Sequence, residues 1–234
     1  ESVRAIQIAG SNGKGSTARM TERVLREAGL DVGLYTSPHL DDVRERIRIN
    51  GHKLTERALV EFVDEAEPYV TDRAADGDAP TFFETLTVMA LWAFRRADVD
   101  VAVLEVGIGG RHDATSVVDP VASAVTTVTL EHTDLLGDTV AEIARDKAHV
   151  APDDAPLVTG ATGDAREAAR EVAGDLYTVG TDPGEDCIVA YGGRDGLEAP
   201  VSLDGGDWAL DTKLPLLGAH QARNAGVAAA LARQ

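Results

Sequence analysis

A chain of 234 residues is long enough for one large domain with an ample core. Forty acidic against 22 basic side chains give a formal net charge of −18, dispersed along the chain, so no basic stripe exists to displace the counterions of a nucleic acid. The chain has no apolar run of membrane-spanning length, no signal peptide before its first strand and one cysteine, Cys187, so we expect a cytoplasmic protein that binds neither membrane nor nucleic acid.

The acid is accompanied by only four lysines, Lys14, Lys53, Lys147 and Lys213, a balance that points to adaptation to high salt. The first element is an apolar run containing Val3, Ile6 and Ile8, which predicts a buried strand. It feeds Gly10-Ser11-Asn12-Gly13-Lys14-Gly15-Ser16-Thr17 and then a helical pattern over roughly 14–28. A strand, a glycine-rich turn and a helix N-terminus aim backbone N–H groups and the positive end of the helix dipole at one point, which suits phosphate. Gly10, Asn12, Gly13, Lys14, Gly15, Ser16 and Thr17 are therefore candidate nucleotide-binding residues, with Lys14 adding a point charge and the Ser16 and Thr17 hydroxyls reaching phosphate or its magnesium. The spacing is not that of an ordinary P-loop, because Ile8 stands where that motif has its first glycine.

A second strand ends at Ser37-Pro38-His39-Leu40, and Pro38 argues for an irregular loop at the edge where α/β sheets bind ligands. Arg44, Arg46 and Arg48 alternate along the next stretch and predict a basic edge. A helix of about fourteen residues is expected from Thr55-Glu56 to Pro68, followed by a polar linker from Asp72 to Pro80. Thr81 and Glu84 have the spacing of a capping box and open an apolar helix to about Arg96. Phe82 and Phe83 in its first turn read as core, with substrate contact as the alternative.

Asp100 to Gly107 is the clearest buried strand, and Glu105 near its end is a carboxylate that is costly there unless paired or holding a cation. Another strand, Val121 to Leu130, ends in the polar cluster Glu131-His132-Thr133-Asp134, and the following helix carries Lys147, which by itself reads as a solvated helix lysine. Strand, helix and strand alternate to Gly180, after which glycine-separated short segments predict hairpins, and a final alanine-rich helix is expected from Asn224. The fold class is α/β: a mostly parallel, Rossmann-like P-loop sheet flanked by helices, with a small antiparallel patch beside it near the C-terminal end.

Six segments in order resemble the folylpolyglutamate synthase and dihydrofolate synthase family of the Mur ligase superfamily. They are Ala9 to Ser16, Thr36 to Leu40 with Glu45-Arg46-Ile47, Thr81 to Glu84, Leu104 to Arg111 with Asp113-Ala114-Thr115, His132-Thr133-Asp134 to Lys147, and Leu217 to Gln221 with Asn224. The resemblance implies an ATP-dependent amide ligase that adds L-glutamate to dihydropteroate or reduced folate through an acyl phosphate. It makes Lys14, Lys147 and His132 catalytic. It gives Ser37 and Glu105 a magnesium ion near the γ-phosphate, and His132 with Glu105 a second. It makes Lys147 a carbamylated ligand for that second ion and brings His220 and Asn224 to the nucleotide. Ser37, Pro38, His39, Phe82, Phe83 and Arg111 would lie toward the pterin substrate.

The chain departs from the family pattern at Glu131, where aspartate is usual, and at Ser116, where asparagine is usual. It is also shorter than the family, so residues 1–219 are expected to be the central ATP-binding domain and 220–234 the start of a hinge helix toward a glutamate-binding domain. A monomer, or part of a longer multidomain polypeptide, is expected. Another Mur-type amino-acid ligase, or an ATP-binding piece inactive by itself, are the alternatives.

Overall fold

The computed structural model describes residues 3–234 and joins all the strands it defines into one 11-stranded sheet. In chain order these are β1 (Ala5–Ala9), α1 (Lys14–Glu27), β2 (Val32–Tyr35), β3 (Ile47–Ile49), β4 (His52–Lys53), α2 (Glu56–Ala75), α3 (Phe82–Arg96) and β5 (Val101–Glu105). There follow β6 (Pro120–Val125), α4 (Thr133–Leu136), α5 (Val140–Ala148), β7 (Leu157–Thr159), α6 (Asp164–Ala173) and β8 (Leu176–Gly180). The last are β9 (Cys187–Tyr191), β10 (Ala199–Asp204), β11 (Ala209–Leu214) and α7 (Ala219–Arg233).

Across the sheet the order is β11-β10-β9-β8-β7-β6-β1-β5-β2-β3-β4, parallel from β9 through β2 and antiparallel at both ends. Strand alternation sorts the side chains onto two faces. Ile6, Ile8, Leu34, Val101 and Val103 share a core with Ala18 and Leu25 of α1 and Val227 and Leu231 of α7. The intervening Ala5, Tyr35, Ala102 and Leu104 meet Phe62 of α2 and Leu86, Met89 and Phe94 of α3. Gly33 of β2 is required by this second layer, since a methyl group there would lie 2.5 Å from the Phe94 ring. The mostly parallel α/β sheet expected from the sequence is therefore present, and its central strands bring their C-terminal ends to one edge.

Several local expectations are corrected. Pro68 does not close α2; it lies inside a 20-residue helix that runs on to Ala75. One lost N–H is tolerated because the exposed stretch around it is not in the core, and Gly77, at φ 76°, terminates the helix instead. The arginine alternation does not form one edge: Asp42 caps a 3₁₀ turn over Val43–Arg46, and Arg44 pairs with Asp42 at 2.7 Å and Glu56 at 3.1 Å. The strand expected to run to Leu130 stops at Val125, because Thr126 and Thr127 turn to bond the phosphate-loop backbone. The antiparallel patch expected near the C-terminal end is present as β9, β10 and β11, joined to the sheet through parallel β8–β9 pairing, whereas α7 begins at Ala219, five residues before Asn224.

Candidate active site

At the end of β1 the backbone enters conformations open mainly to glycine, with φ 138° at Gly10 and 91° at Gly13. Gly13 is the N-cap of α1 and supplies no capping side chain, so the first-turn N–H groups remain available to an anion. The loop is held from outside. Thr126 and Thr127 hydroxyls donate to the Asn12 carbonyl at 2.7 and 3.1 Å, and Ser11 N–H donates to the Thr127 carbonyl at 2.6 Å. Asn224, buried on α7, lies so close that a methyl group on Gly13 would sit 2.5 Å from its Oδ1. His220 is exposed in the first turn of the same helix.

Of the expected nucleotide residues, Gly10, Asn12, Gly13, Lys14, Gly15 and Ser16 form this loop and its helix entry. Thr17 departs from expectation: it is fully buried, and its hydroxyl has no partner and no access to solvent. The ammonium of Lys14 donates to the Gly10 carbonyl at 3.0 Å.

Lys147, read by itself as a solvated lysine, is 1% exposed. Its ammonium donates to Glu131 Oε1 at 2.7 Å and to the Gly10 carbonyl at 3.3 Å. Burial pulls its pKa down, against the opposing pull of Glu131. Burial acts to raise Glu131, but the hydrogen bond and charge of Lys147 outweigh it and leave that carboxyl below its ordinary range. Glu131 is thus part of the site, which the sequence signalled only by placing a carboxylate directly before His132. His132 itself is exposed at φ 47°, at the N-cap of α4.

Glu105 ends β5, 5% exposed, and its Oε2 accepts Ser37 N–H at 2.9 Å. A methyl group on Gly15 would lie 3.3 Å from the same oxygen, so this carboxylate adjoins the phosphate loop. Burial raises its pKa, partly offset by the Ser37 N–H and by Lys14, Arg19 and Arg46. A buried carboxylate beside an anion-binding loop and a serine is the oxygen-donor chemistry that a hard divalent cation takes. Among the described residues no three His, Cys, Asp or Glu side chains gather into a metal cluster, so phosphate and water oxygens would complete such a shell.

Beside this centre a pocket of about 630 Å³ is lined by Ser37, Pro38, Arg46, Phe83, Ile108, His112, Asp113, Leu135, Leu136 and Asp146. Its rear loop is anchored by Asp113, which accepts from Gly107 N–H, Ile108 N–H, Thr115 N–H and the Thr115 hydroxyl at 2.7–3.0 Å. Asp146 ties the loop to α5 by accepting Gly110 N–H at 2.9 Å. Phe83 lines the pocket, whereas Phe82, expected in the core, is 60% exposed beneath the Arg46 guanidinium. His39 accepts Arg46 Nε–H at 2.8 Å, outside the pocket wall. Arg111 is exposed and does not line it; its neighbours His112 and Asp113 do.

An open helix N-terminus, a loop lysine and a buried carboxylate at the C-terminal edge of a parallel sheet define a P-loop nucleotide-binding domain. The chain belongs to the Mur ligase family, whose middle-domain model matches residues 8–232. It is 68% identical over 231 residues to the probable bifunctional folylpolyglutamate synthase/dihydropteroate synthase of Halobacterium salinarum, covering 98% of this chain and 28% of that protein. It is 39% identical over 232 residues to folylpolyglutamate synthase of Lacticaseibacillus casei, covering 96% of this chain and 54% of the relative. Among solved structures, an FPGS-AMPPCP-folate complex superposes with a TM-score of 0.91 at 36% identity, covering 100% of this chain and 58% of the other. E. coli FolC in complex with DHPP and ADP superposes at 0.82 with 32% identity, covering 100% of this chain and 54% of the other. The chain therefore spans between 28% and 58% of the length of these relatives.

Proposed function

We propose that this chain is the ATP-handling domain of an ATP-dependent amide ligase that joins L-glutamate to dihydropteroate or a reduced folate. The observation that carries this reading is the meeting of Lys14, Glu105 and Lys147 around one phosphate loop beside a mostly apolar pocket. In this reading a substrate carboxylate attacks the γ-phosphorus of ATP, giving an acyl phosphate and ADP. The glutamate amine then attacks the acyl carbon and displaces phosphate. Phosphoryl transfer gathers charge on oxygens, and the Lys14 ammonium and the open N–H groups of α1 neutralise it without reorganising.

Glu105 and the Ser37 hydroxyl suit one magnesium ion; His132, Glu105 and a carbamylated Lys147 are the set for a second. Magnesium would draw charge from the phosphate oxygens. Burial lowers the pKa of Lys147 and so favours its neutral amine, the form whose lone pair adds to the carbon of carbon dioxide with loss of a proton. Phe83, Ile108, Leu135 and Leu136 offer faces for a flat pterin, with Asp113 and Asp146 as polar groups for its edge. His220 and Asn224 approach the nucleotide from α7.

Residues 1–219 act as the central domain and 220–234 as the entry to a hinge, within a monomeric, cytoplasmic polypeptide of several domains. The name of the Halobacterium salinarum relative supports a larger, fused enzyme. A second reading, an ATP-binding domain that turns nothing over by itself, is favoured by the partial span of the relatives. Incubating the chain with ATP, magnesium, L-glutamate and dihydropteroate or tetrahydrofolate tests both. Acceptor-dependent ADP release with a glutamylated product supports the ligase; tight ATP binding without product supports the second reading; failure to bind ATP sinks both.

A further inference from the structure

A second cleft, of about 820 Å³, opens from Gly15, Ser16, Ser37 and Glu105 and runs along α1 to β11 and α7. Ser37 and Pro38 border both this cleft and the 630 Å³ pocket. A substrate with its ring in the smaller pocket and its carboxylate at Ser37 and Glu105 therefore leaves the larger cleft to the second reactant.

Most of the larger cleft is apolar, with Met20, Val24 and Leu214 among its walls, but α1 contributes two cations, Arg19 and Arg23. They are four residues apart, and Ser16 is three before Arg19, so all three share the helix face that looks into the cleft. Arg23 is engaged by Glu27 at 2.8 Å. Arg19 is exposed, and among the described residues it forms no ion pair. Partial burial and the charge of Arg48 pull its pKa down, opposed by the carboxylates of Glu22, Glu105 and Glu45, the last two of which also border the cleft. On a chain of net charge −18, an amino acid bearing two carboxylates is repelled almost everywhere. A free guanidinium beside the reacting centre offers a bidentate contact of the opposite sign, and a direct contact of that kind survives the screening of high salt.

We propose that Arg19 is a specificity-determining residue for the second reactant, its guanidinium holding the side-chain carboxylate of the incoming α-amino dicarboxylic acid in the larger cleft. The proposal rests on the ligase reading and adds to it a contact from this domain, where the family resemblance assigns amino-acid recognition to another. The test uses isotope-labelled chain saturated with a non-hydrolysable ATP analogue and titrated with L-glutamate, followed by NMR. Expected are saturable shifts at Arg19, Ser16 and Ser37, an affinity weakened about 10-fold or more in Arg19→Ala, and partial recovery in Arg19→Lys. L-Glutamine, which lacks the side-chain carboxylate, is expected to bind weakly and equally to wild type and Arg19→Ala. Arg19 is exposed, so the variant keeps the fold, and unchanged affinity for the ATP analogue checks this. Unchanged glutamate affinity in Arg19→Ala, shifts that map elsewhere, or no saturable binding would each overturn the proposal. Failure of the ligase reading appears separately, as absent glutamylated product in the turnover assay.

Discussion

Lys14 and Lys147 direct their ammonium groups at a single acceptor, the carbonyl oxygen of Gly10, at 3.0 and 3.3 Å. They come from distant parts of the chain, one at the start of α1 and the other near the end of α5. Two like charges at one carbonyl repel, and Glu131, 2.7 Å from Lys147, balances one of them. The arrangement suits a loop that receives phosphate on one side and an anionic lysine derivative on the other. Lys147→Ala is accordingly expected to abolish glutamate ligation while ATP affinity stays within about 3-fold, because Lys14 still serves the phosphates. Short carboxylates added to the assay should restore part of the rate. Loss without rescue would count against a carbamate at this position.

Glu105 supplies a prediction with a definite sign. Its folded pKa is raised above the unfolded value, so its protonated form favours the native state. That contribution is complete below the unfolded value, about 4.3 for glutamate, and is lost as pH rises through the folded value. Without magnesium, wild-type unfolding measurements should therefore show stability falling over that interval, and Glu105→Gln should remove the fall. The variant should also lose the stabilisation that magnesium and ATP together confer on wild type. A Glu105→Gln protein with an unaltered pH profile would refute the assignment of the strain to this carboxylate.

Gly13 offers a test of how the loop is closed. Alanine there meets a backbone at φ 91° and an Asn224 amide oxygen 2.5 Å from the new methyl. The cost is expected to be about 2–4 kcal/mol in denaturant unfolding, combining left-handed strain with overpacking. ATP binding should fall with it. Gly77→Ala makes a useful control, since it shares a positive φ, 76°, but has open space around its added methyl. It should be the milder of the two.

The smaller pocket should separate acceptor binding from nucleotide binding. Phe83→Ala removes an aromatic wall and is expected to raise KM for the pterin acceptor by about 10-fold or more, with ATP affinity unchanged. Phe82→Ala, at an exposed neighbour, should leave both nearly as they were. Steady-state kinetics with the two substrates varied independently would distinguish a shared effect from this split.

The charge of −18 leads to a last expectation, about solvent rather than chemistry. Self-repulsion among dispersed carboxylates weakens as salt rises, so the thermal midpoint should climb between about 0.1 M and about 2 M potassium chloride. A midpoint indifferent to salt would show that the acid is already balanced locally.

Much of this was legible along the chain because local rules decide it. Strand periodicity, the Thr81 to Glu84 capping box and the glycines flanking Lys14 each act over a few residues, and the structure follows them. Pro68 misled because a helix interrupted on an exposed stretch loses only one hydrogen bond, which sequence punctuation overstates. Phe82 and Phe83 are adjacent and chemically identical, yet one faces solvent and the other the pocket, a difference set by the phase of α3 against β2.

The phosphate loop, its lysine and a carboxylate at a buried strand end are thus properties of the sequence by itself, since each needs only its own neighbours. The pairing of Lys147 with Glu131, the seat of Asn224 against Gly13 and the shared Ser37 border of two clefts are not. Those depend on a sheet order that puts β1 between β5 and β6 and so draws distant strand ends to one edge, where burial makes a surface-type lysine part of the site.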